Sequence, residues 1–245
     1  MNKENAQSKV KSWLSQTGVD DPPLLKTKPD GKTAVIQNHP THGKMVVRSD
    51  ELSGKILEVS ELIKKAFNQA IEQGLPKCPI EGIVYTIYQR EPGAAHNDPN
   101  AITPIYVGIA RSIGKSGKLS SLFNSGWGRF ADTPNSNGHI GNLNEQLQGR
   151  EDSKNNYRDW VDTLFTDDSD LEWEVILRKP VFVRIEIWDS NSSSIINELG
   201  HTPLEVEEML RIWLLNIGGK GNSLLNKDGN RFWKTCTSNY VISSS

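Results

Sequence analysis

Apolar residues recur at every third or fourth position along several segments of the chain, and this spacing predicts amphipathic helices. The pattern is clearest at 53–73, where it continues up to Gly74, a residue type that commonly ends helices. The same spacing predicts helices at 1–16 and 203–217. Shorter helices are predicted at 118–123, 141–148 and 155–165.

Two runs of β-branched and aromatic residues, 81–90 and 103–110, are typical of strands. The residues between them are rich in Pro, Gly, Asn and Asp, which favour turns, so the two runs predict a long hairpin. Two further strands are predicted, at 172–178 and 181–188. Loops or short edge strands are predicted elsewhere, at 17–50 and 131–139.

The composition predicts a folded protein with a sizeable core, because hydrophobic residues make up 36% of the 245 positions and seven residues are Trp. The chain has no run of 18 apolar residues and no apolar run near its N-terminus, so neither a membrane span nor a secretory signal is expected. Two cysteines, Cys78 and Cys236, do not make a disulfide framework, which predicts a reducing, cytoplasmic setting.

The formal net charge of −2 is unusual for a nucleic-acid binder, but the charges are unevenly distributed. The segment 151–200 holds 5 basic and 12 acidic residues, a balance of −7, whereas 1–80 holds 12 basic and 9 acidic residues, a balance of +3. Outside the acidic segment the chain is mildly basic. That balance is compatible with a surface that faces phosphate, although ordinary solvated faces give the same pattern.

Residues suited to phosphate chemistry follow one another along the chain. Each strand of the predicted hairpin carries a tyrosine, Tyr85 in GIVYTIY and Tyr106 in IYVGIA. Tyrosines are common in half-buried strands, so this pair alone is weak evidence of a site. The residues that follow in order are Arg129 in WGRF, His139 in GHIG, Glu207 on the helix 203–217 and Asn226 in NSLLN.

This order resembles that of the GIY-YIG nuclease superfamily. Ile83-Val84-Tyr85 stands for the family's Gly-Ile-Tyr motif, and Tyr106-Val107-Gly108 stands for its second motif, with valine in place of isoleucine. The resemblance implies an α/β (α+β) fold with a small, mainly antiparallel three-stranded sheet flanked by helices. It also implies a nuclease domain at 76–245 with insertions. The resemblance does not cover residues 1–75, where the apolar spacing predicts a largely helical extension.

The resemblance also implies a role for each site residue. Tyr85 would act near the attacking water as or beside the general base, and Tyr106 would hold the water or the scissile phosphate. Arg129 would bind the phosphate, and Glu207 would ligate one Mg²⁺ or Mn²⁺ ion. The remaining two, His139 and Asn226, would contact or organise the site.

These residue types suit phosphodiester hydrolysis on physical grounds. A guanidinium matches phosphate oxygens, and one carboxylate with waters and phosphate oxygens suits Mg²⁺, which keeps much of its hydration shell. A tyrosine has a pKa of about 10 and is a poor base at pH 7 unless a nearby cation lowers that value. Arg129 or the metal is expected to do so.

Several positions leave alternatives open. Glu205 and Glu208 compete with Glu207 as the metal ligand, and Asn216 competes with Asn226. His139 fits a loop histidine without a role equally well. The run 108–116, GIARSIGKS, suggests a nucleotide-binding loop, but it has one residue too many between its first glycine and Gly-Lys.

DNA is the expected partner. Contacts are predicted from Arg111, Lys115, Lys118 and Trp127, and Arg111 is the second choice for the phosphate-binding arginine. A restriction or host-defence endonuclease is the leading hypothesis, and a catalytically silent nucleic-acid-binding module is the main alternative. One such site cuts one strand, so double-strand cleavage would imply a homodimer or two successive visits.

Overall fold

The computed structural model describes residues 1–18, 20–124, 128–134, 136, 138–149, 157–221 and 224–225. Within them the chain forms six α-helices and seven strands. The helices are α1 (Lys3–Leu14), α2 (Asp50–Glu72), α3 (Ser121–Asn124), α4 (His139–Leu147), α5 (Arg158–Leu164) and α6 (Leu204–Ile217). The strands are β1 (Thr33–Ala34), β2 (Ile36–His39), β3 (Gly43–Val46), β4 (Ile80–Arg90), β5 (Ile102–Arg111), β6 (Val175–Ile176) and β7 (Val181–Asp189).

The predicted long helices, the hairpin and the last strand are confirmed with small shifts at their ends. The helix predicted from residue 53 begins three residues earlier because the Ser49 side chain caps it by accepting a hydrogen bond from the Leu52 backbone N–H. None of the helices in the described part of the chain is long and apolar enough to cross a membrane.

The main sheet has three antiparallel strands in the order β5–β4–β7. The central strand, β4, pairs with both neighbours along nearly its whole length. This confirms the predicted α+β class with a small antiparallel sheet. β5 is an edge strand of this sheet, and its Tyr106 and Ile109 side chains are half-buried, whereas Arg111 at its end is exposed.

Two predicted boundaries are wrong. The strand predicted at 172–178 is only β6, which pairs with β1 outside the main sheet. It is short because a turn precedes it, in which the Asp170 N–H donates to the Glu174 carbonyl. The loop predicted to end at 139 ends one residue earlier, since His139 is the first residue of α4.

Both faces of the sheet are buried, each under its own apolar cluster. Side chains at alternating positions of β4 divide between the clusters, with Ile83, Tyr85 and Ile87 on one face and Val84 and Tyr88 on the other. The first face packs under α2 to α5, and the second packs under α1 and α6. Residues before 76 therefore contribute to both cores.

Gly108 leaves space for a phenol on the first face. A Cβ at this position would lie 2.5 Å from the Tyr85 hydroxyl oxygen and 2.6 Å from a ring carbon of Tyr106. No side chain fits at such distances without displacing one of the two rings.

We expect Gly108→Ala to destabilise the fold by about 1–3 kcal/mol, because an added methyl group overpacks the core. Gly54→Ala, on an exposed turn of α2 with nothing within 4 Å of the new Cβ, is the matched control and should be neutral or stabilising. Urea unfolding of both variants measures the difference. Equal stability of the two would show that the rings have room to move.

Candidate active site

The two motif tyrosines lie on the same face of the sheet. Tyr85 pairs with Gly108 and Ile87 pairs with Tyr106, so both phenols project from neighbouring rungs of the hairpin. Their rings stack with centroids 5.9 Å apart. Tyr106, on the edge strand, is half-buried, whereas Tyr85, on the central strand, has no exposed surface.

Arg129 lies on a segment that two short backbone hydrogen bonds hold against the start of α4. His139 N–H donates to the Arg129 carbonyl, and Gly141 N–H donates to the Ala131 carbonyl, both at 2.8 Å. Gly138 and Gly141 permit this approach, because a Cβ on either would lie 2.4 Å from a backbone oxygen. The arginine side chain is exposed, and within the described residues it has no hydrogen bond or ion pair.

His139 connects this segment to the sheet through its side chain. Its Nε2 lies 2.8 Å from the Tyr85 hydroxyl, and its Nδ1 lies 3.0 Å from the Tyr157 hydroxyl. The imidazole stacks on Trp160, with centroids 5.1 Å apart, and meets Tyr106 edge-on. The side chain is 3% exposed, so both ring nitrogens depend on these phenols for hydrogen bonds.

Tyr157 is the site residue that sequence reasoning missed. It lies just before α5, and the amphipathic pattern of the predicted helix 155–165 marks it as an ordinary core residue. It is separated from His139 by 18 positions and from Tyr85 by 72, and no short motif joins the three. Only the packing of α5 against α4 brings its hydroxyl to the imidazole.

Glu207 does not lie at this site, and its predicted role as metal ligand is corrected. It is fully buried among the elements of the second face. Its oxygens accept hydrogen bonds from the Arg211 Nε at 2.9 Å, the Ile195 backbone N–H at 2.9 Å, and the Ser194 and Thr202 hydroxyls. Arg211 in turn pairs with Glu186. This is a satisfied internal ion-pair network, which leaves Glu207 no access to a substrate.

Glu208 is one of the two alternatives to Glu207 that the sequence leaves open. One residue further along α6 is about 100° further round the helix, which turns Glu208 away from the buried network. It is half-buried, with no hydrogen bond or ion pair among the described residues. Burial raises its pKa to about 7, while the positive charges of Arg129 and Arg111 act to lower it. Its charge also adds to the rise that burial causes in the pKa of Tyr85.

Three of the four predicted DNA contacts, Arg111, Lys115 and Lys118, lie at and beyond the end of β5. Arg111 is exposed at the end of β5 and pairs with Glu205. The segment 112–120 is a small hairpin, closed by the bridge between Ile113 and Leu119, with Lys115 and Lys118 exposed at its tip. A cleft of about 880 Å³ opens between this hairpin, the end of α2 and the start of α6.

The hairpin argues against a nucleotide-binding loop at 108–116. A phosphate-cradling loop leads from a parallel strand directly into a helix, whereas here an edge strand of an antiparallel sheet leads into a β-turn. Asn226 and Trp127 lie outside the described residues. The alternative Asn216 is exposed in the last turn of α6.

The two buried groups of the site are electrically neutral. Burial raises the pKa of Tyr85 well above its usual value, and Tyr106 adds to the shift. Arg129 lowers that pKa as the sequence suggested, but burial outweighs it. Burial and then Arg129 lower the pKa of His139 to about 3. A charge is therefore disfavoured on either group, and the phenol and the imidazole form a neutral hydrogen-bonded pair.

Comparison with protein-family models, with curated proteins and with solved structures found no match for this chain. Within the described residues no group of three or more His, Cys, Asp or Glu side chains is arranged to hold a metal ion.

The pKa of Glu208 predicts how stability depends on pH. Its folded-state pKa of about 7 lies above the ordinary value of 4.5, so its contribution to stability is present below pH 4.5 and is lost as the pH rises through 7. We expect Glu208→Gln to be more stable than the native protein by about 2 kcal/mol at pH 8.5, after allowance for solvent screening, and equally stable at pH 4.5.

Urea unfolding at the two pH values measures this difference. Glu72→Gln, at the exposed end of α2, is the control and should change stability equally at both. A Glu208→Gln effect that is the same at pH 4.5 and 8.5 would contradict the assignment.

Proposed function

We propose that this protein is a metal-dependent endonuclease that hydrolyses phosphodiester bonds in DNA. The observation that carries the proposal is that Tyr106 stacks on Tyr85, which is hydrogen-bonded to His139, and that the charges of Arg129 and Glu208 act on each other and on Tyr85. Cleavage of a phosphodiester by water needs an activated water, a cation for the developing charge and help for the leaving oxygen, and these residue types suit those tasks. Their order along the chain also resembles that of GIY-YIG nucleases.

Arg129 is suited to binding the scissile phosphate. Its guanidinium is exposed and has no ion-pair partner within the described residues, so no internal carboxylate competes with phosphate oxygens. Its position is fixed from the backbone through the His139 N–H. The guanidinium itself stays available, and it can bind two phosphate oxygens and offset the charge that builds up on them.

Glu208 fits a single hydrated Mg²⁺ or Mn²⁺ ion. Among the residues that the structure describes the carboxylate has no ion-pair partner, and it is partly desolvated, so a bound cation would stabilise its charged form. One protein carboxylate, with waters and phosphate oxygens, is a common ligand set for Mg²⁺. When bound, the ion supplies Lewis-acid stabilisation of the oxygen that leaves.

The tyrosines divide the remaining tasks. Tyr106 borders solvent and would hold the attacking water or the phosphate by a hydrogen bond. Tyr85 has no exposed surface, so it cannot touch the water in this state, contrary to the role expected from the sequence. Substrate binding has to open a path of one water's width to the Tyr85 hydroxyl before that group can accept a proton.

Polymeric DNA fits this surface better than a mononucleotide does. Lys115 and Lys118 lie on a hairpin beside the Arg111–Glu205 pair, where they would contact phosphates next to the scissile one. The cleft beside them gives room for neighbouring nucleotides. Within this class we propose a restriction or host-defence enzyme, in which the hairpin and residues before 76 contribute selectivity.

Incubation of supercoiled plasmid with the protein and Mg²⁺ tests the proposal. We expect nicked or linear DNA, and loss of cleavage with EDTA, Arg129→Ala or Glu208→Gln. Retarded but intact DNA in every condition would instead support a binding module without catalysis.

The neighbouring carboxylates provide a matched control. Glu207→Gln should lower the free energy of unfolding by about 3–5 kcal/mol, because it leaves Arg211 buried with fewer partners, whereas Glu208→Gln should leave the fold intact. Under conditions where both variants are folded, cleavage should persist in Glu207→Gln alone. The reverse pattern would return the metal-ligand role to Glu207.

A further inference from the structure

Tyr85, His139 and Tyr157 form one hydrogen-bonded chain from the sheet towards the protein surface. The two links are 2.8 Å and 3.0 Å long. Tyr85 is fully buried, His139 is nearly so, and Tyr157 is half-buried. Stacking on Trp160 fixes the plane of the imidazole, so each ring nitrogen keeps its own phenol.

The donor and the acceptor of each of these two hydrogen bonds follow from a count of hydrogens. The Tyr85 hydroxyl has one hydrogen, and within the described residues its one hydrogen-bond partner is His139 Nε2. If Nε2 carried the hydrogen, the Tyr85 O–H would be a buried donor with no acceptor, which is costly. The satisfied arrangement has Tyr85 donating to Nε2 and Nδ1–H donating to the Tyr157 oxygen.

Tyr157 can accept that hydrogen bond. Burial raises the pKa of Tyr157 to about 12, and the Asn142 side chain acts in the opposite direction, as a donor to the phenol oxygen does. Because Tyr157 is half-buried, its own hydrogen can be directed to solvent. Every group in the chain then has a partner, and the chain is neutral throughout.

We propose that Tyr157 is a positioning residue that holds His139 in the Nδ1–H form and makes it the middle of an outward proton relay. The relay part of this inference rests on the proposed nuclease function. When the Tyr85 oxygen accepts a proton from water, its original proton passes to Nε2 of His139. The Nδ1 proton of His139 passes to the Tyr157 oxygen, and the Tyr157 proton passes to solvent. One proton enters and one leaves, so no buried group has to carry a charge.

This relay resolves a difficulty of the buried site. Neither Tyr85 as a phenolate nor His139 as an imidazolium is stable at neutral pH in this setting, so neither can serve alone as the final acceptor of a proton. A chain of neutral groups that shifts its hydrogens together avoids both charged states.

The tautomer of His139 can be observed directly by ¹⁵N NMR of histidine-labelled protein at pH 7. We expect Nδ1 to be protonated and Nε2 to be unprotonated, whereas free neutral histidine in water prefers the opposite form. His139→Gln identifies the signal among the five histidines. A native protein with Nε2–H would overturn the inference without touching the nuclease proposal.

Two tyrosine variants separate positioning from packing. Tyr157→Phe removes the acceptor of Nδ1–H, so His139 should change to the Nε2–H form. Tyr106→Phe is the matched control, because the Tyr106 ring meets the same imidazole edge-on. This variant should leave the His139 tautomer unchanged. An unchanged tautomer in Tyr157→Phe would contradict the assignment of Tyr157.

Cleavage kinetics test the relay itself. Tyr157→Phe should lower kcat by about 10- to 100-fold with little change in KM, as expected when a partner that orients a catalytic group is lost. A native kcat in this variant would exclude the relay while leaving the nuclease assignment in place. If the native protein does not cut DNA, the proposed function fails. The NMR result still decides which ring nitrogen of His139 carries the hydrogen.

Discussion

The site depends on His139, which connects the central strand of the sheet to the segment that carries Arg129 in two ways. Its side chain binds the Tyr85 hydroxyl on the central strand, and its backbone N–H binds the carbonyl of Arg129. The imidazole is also the meeting point of Tyr106, Trp160 and Tyr157. Because one residue holds both a phenol and the guanidinium segment, a shift of α4 would move both together.

Burial divides the site into a neutral inner part and a charged outer part. The inner part, Tyr85 and His139, is kept neutral by desolvation and is suited to moving protons but not to holding charge. The outer part keeps exposed surface, since Arg129 is exposed and Glu208 is half-buried. Glu207, buried on the other face of the sheet, pairs with Arg211, which also pairs with Glu186.

Local pattern was sufficient for the elements and for part of the site. Alternation along the strands and a turn-rich connection predict a hairpin. With Tyr85 opposite Gly108 and Tyr106 opposite Ile87, the hairpin brings the two phenols to one face. The choice between Glu207 and Glu208 depends on a rotation of 100° about α6, which only its packing on the sheet settles. Tyr157 could not be identified because long-range packing alone brings it to His139.

The central claim is that a cation and a phosphate meet at Glu208 and Arg129, at the edge of β5. Paramagnetic broadening by Mn²⁺ in ¹⁵N-labelled protein bound to a short duplex with a non-hydrolysable linkage tests it most directly. We predict that amide signals of 205–209 and of the segments around Arg129 and Tyr106 are lost first, and that Glu208→Gln restores them. Broadening confined to the acidic segment 167–174, or none at all, would contradict the account.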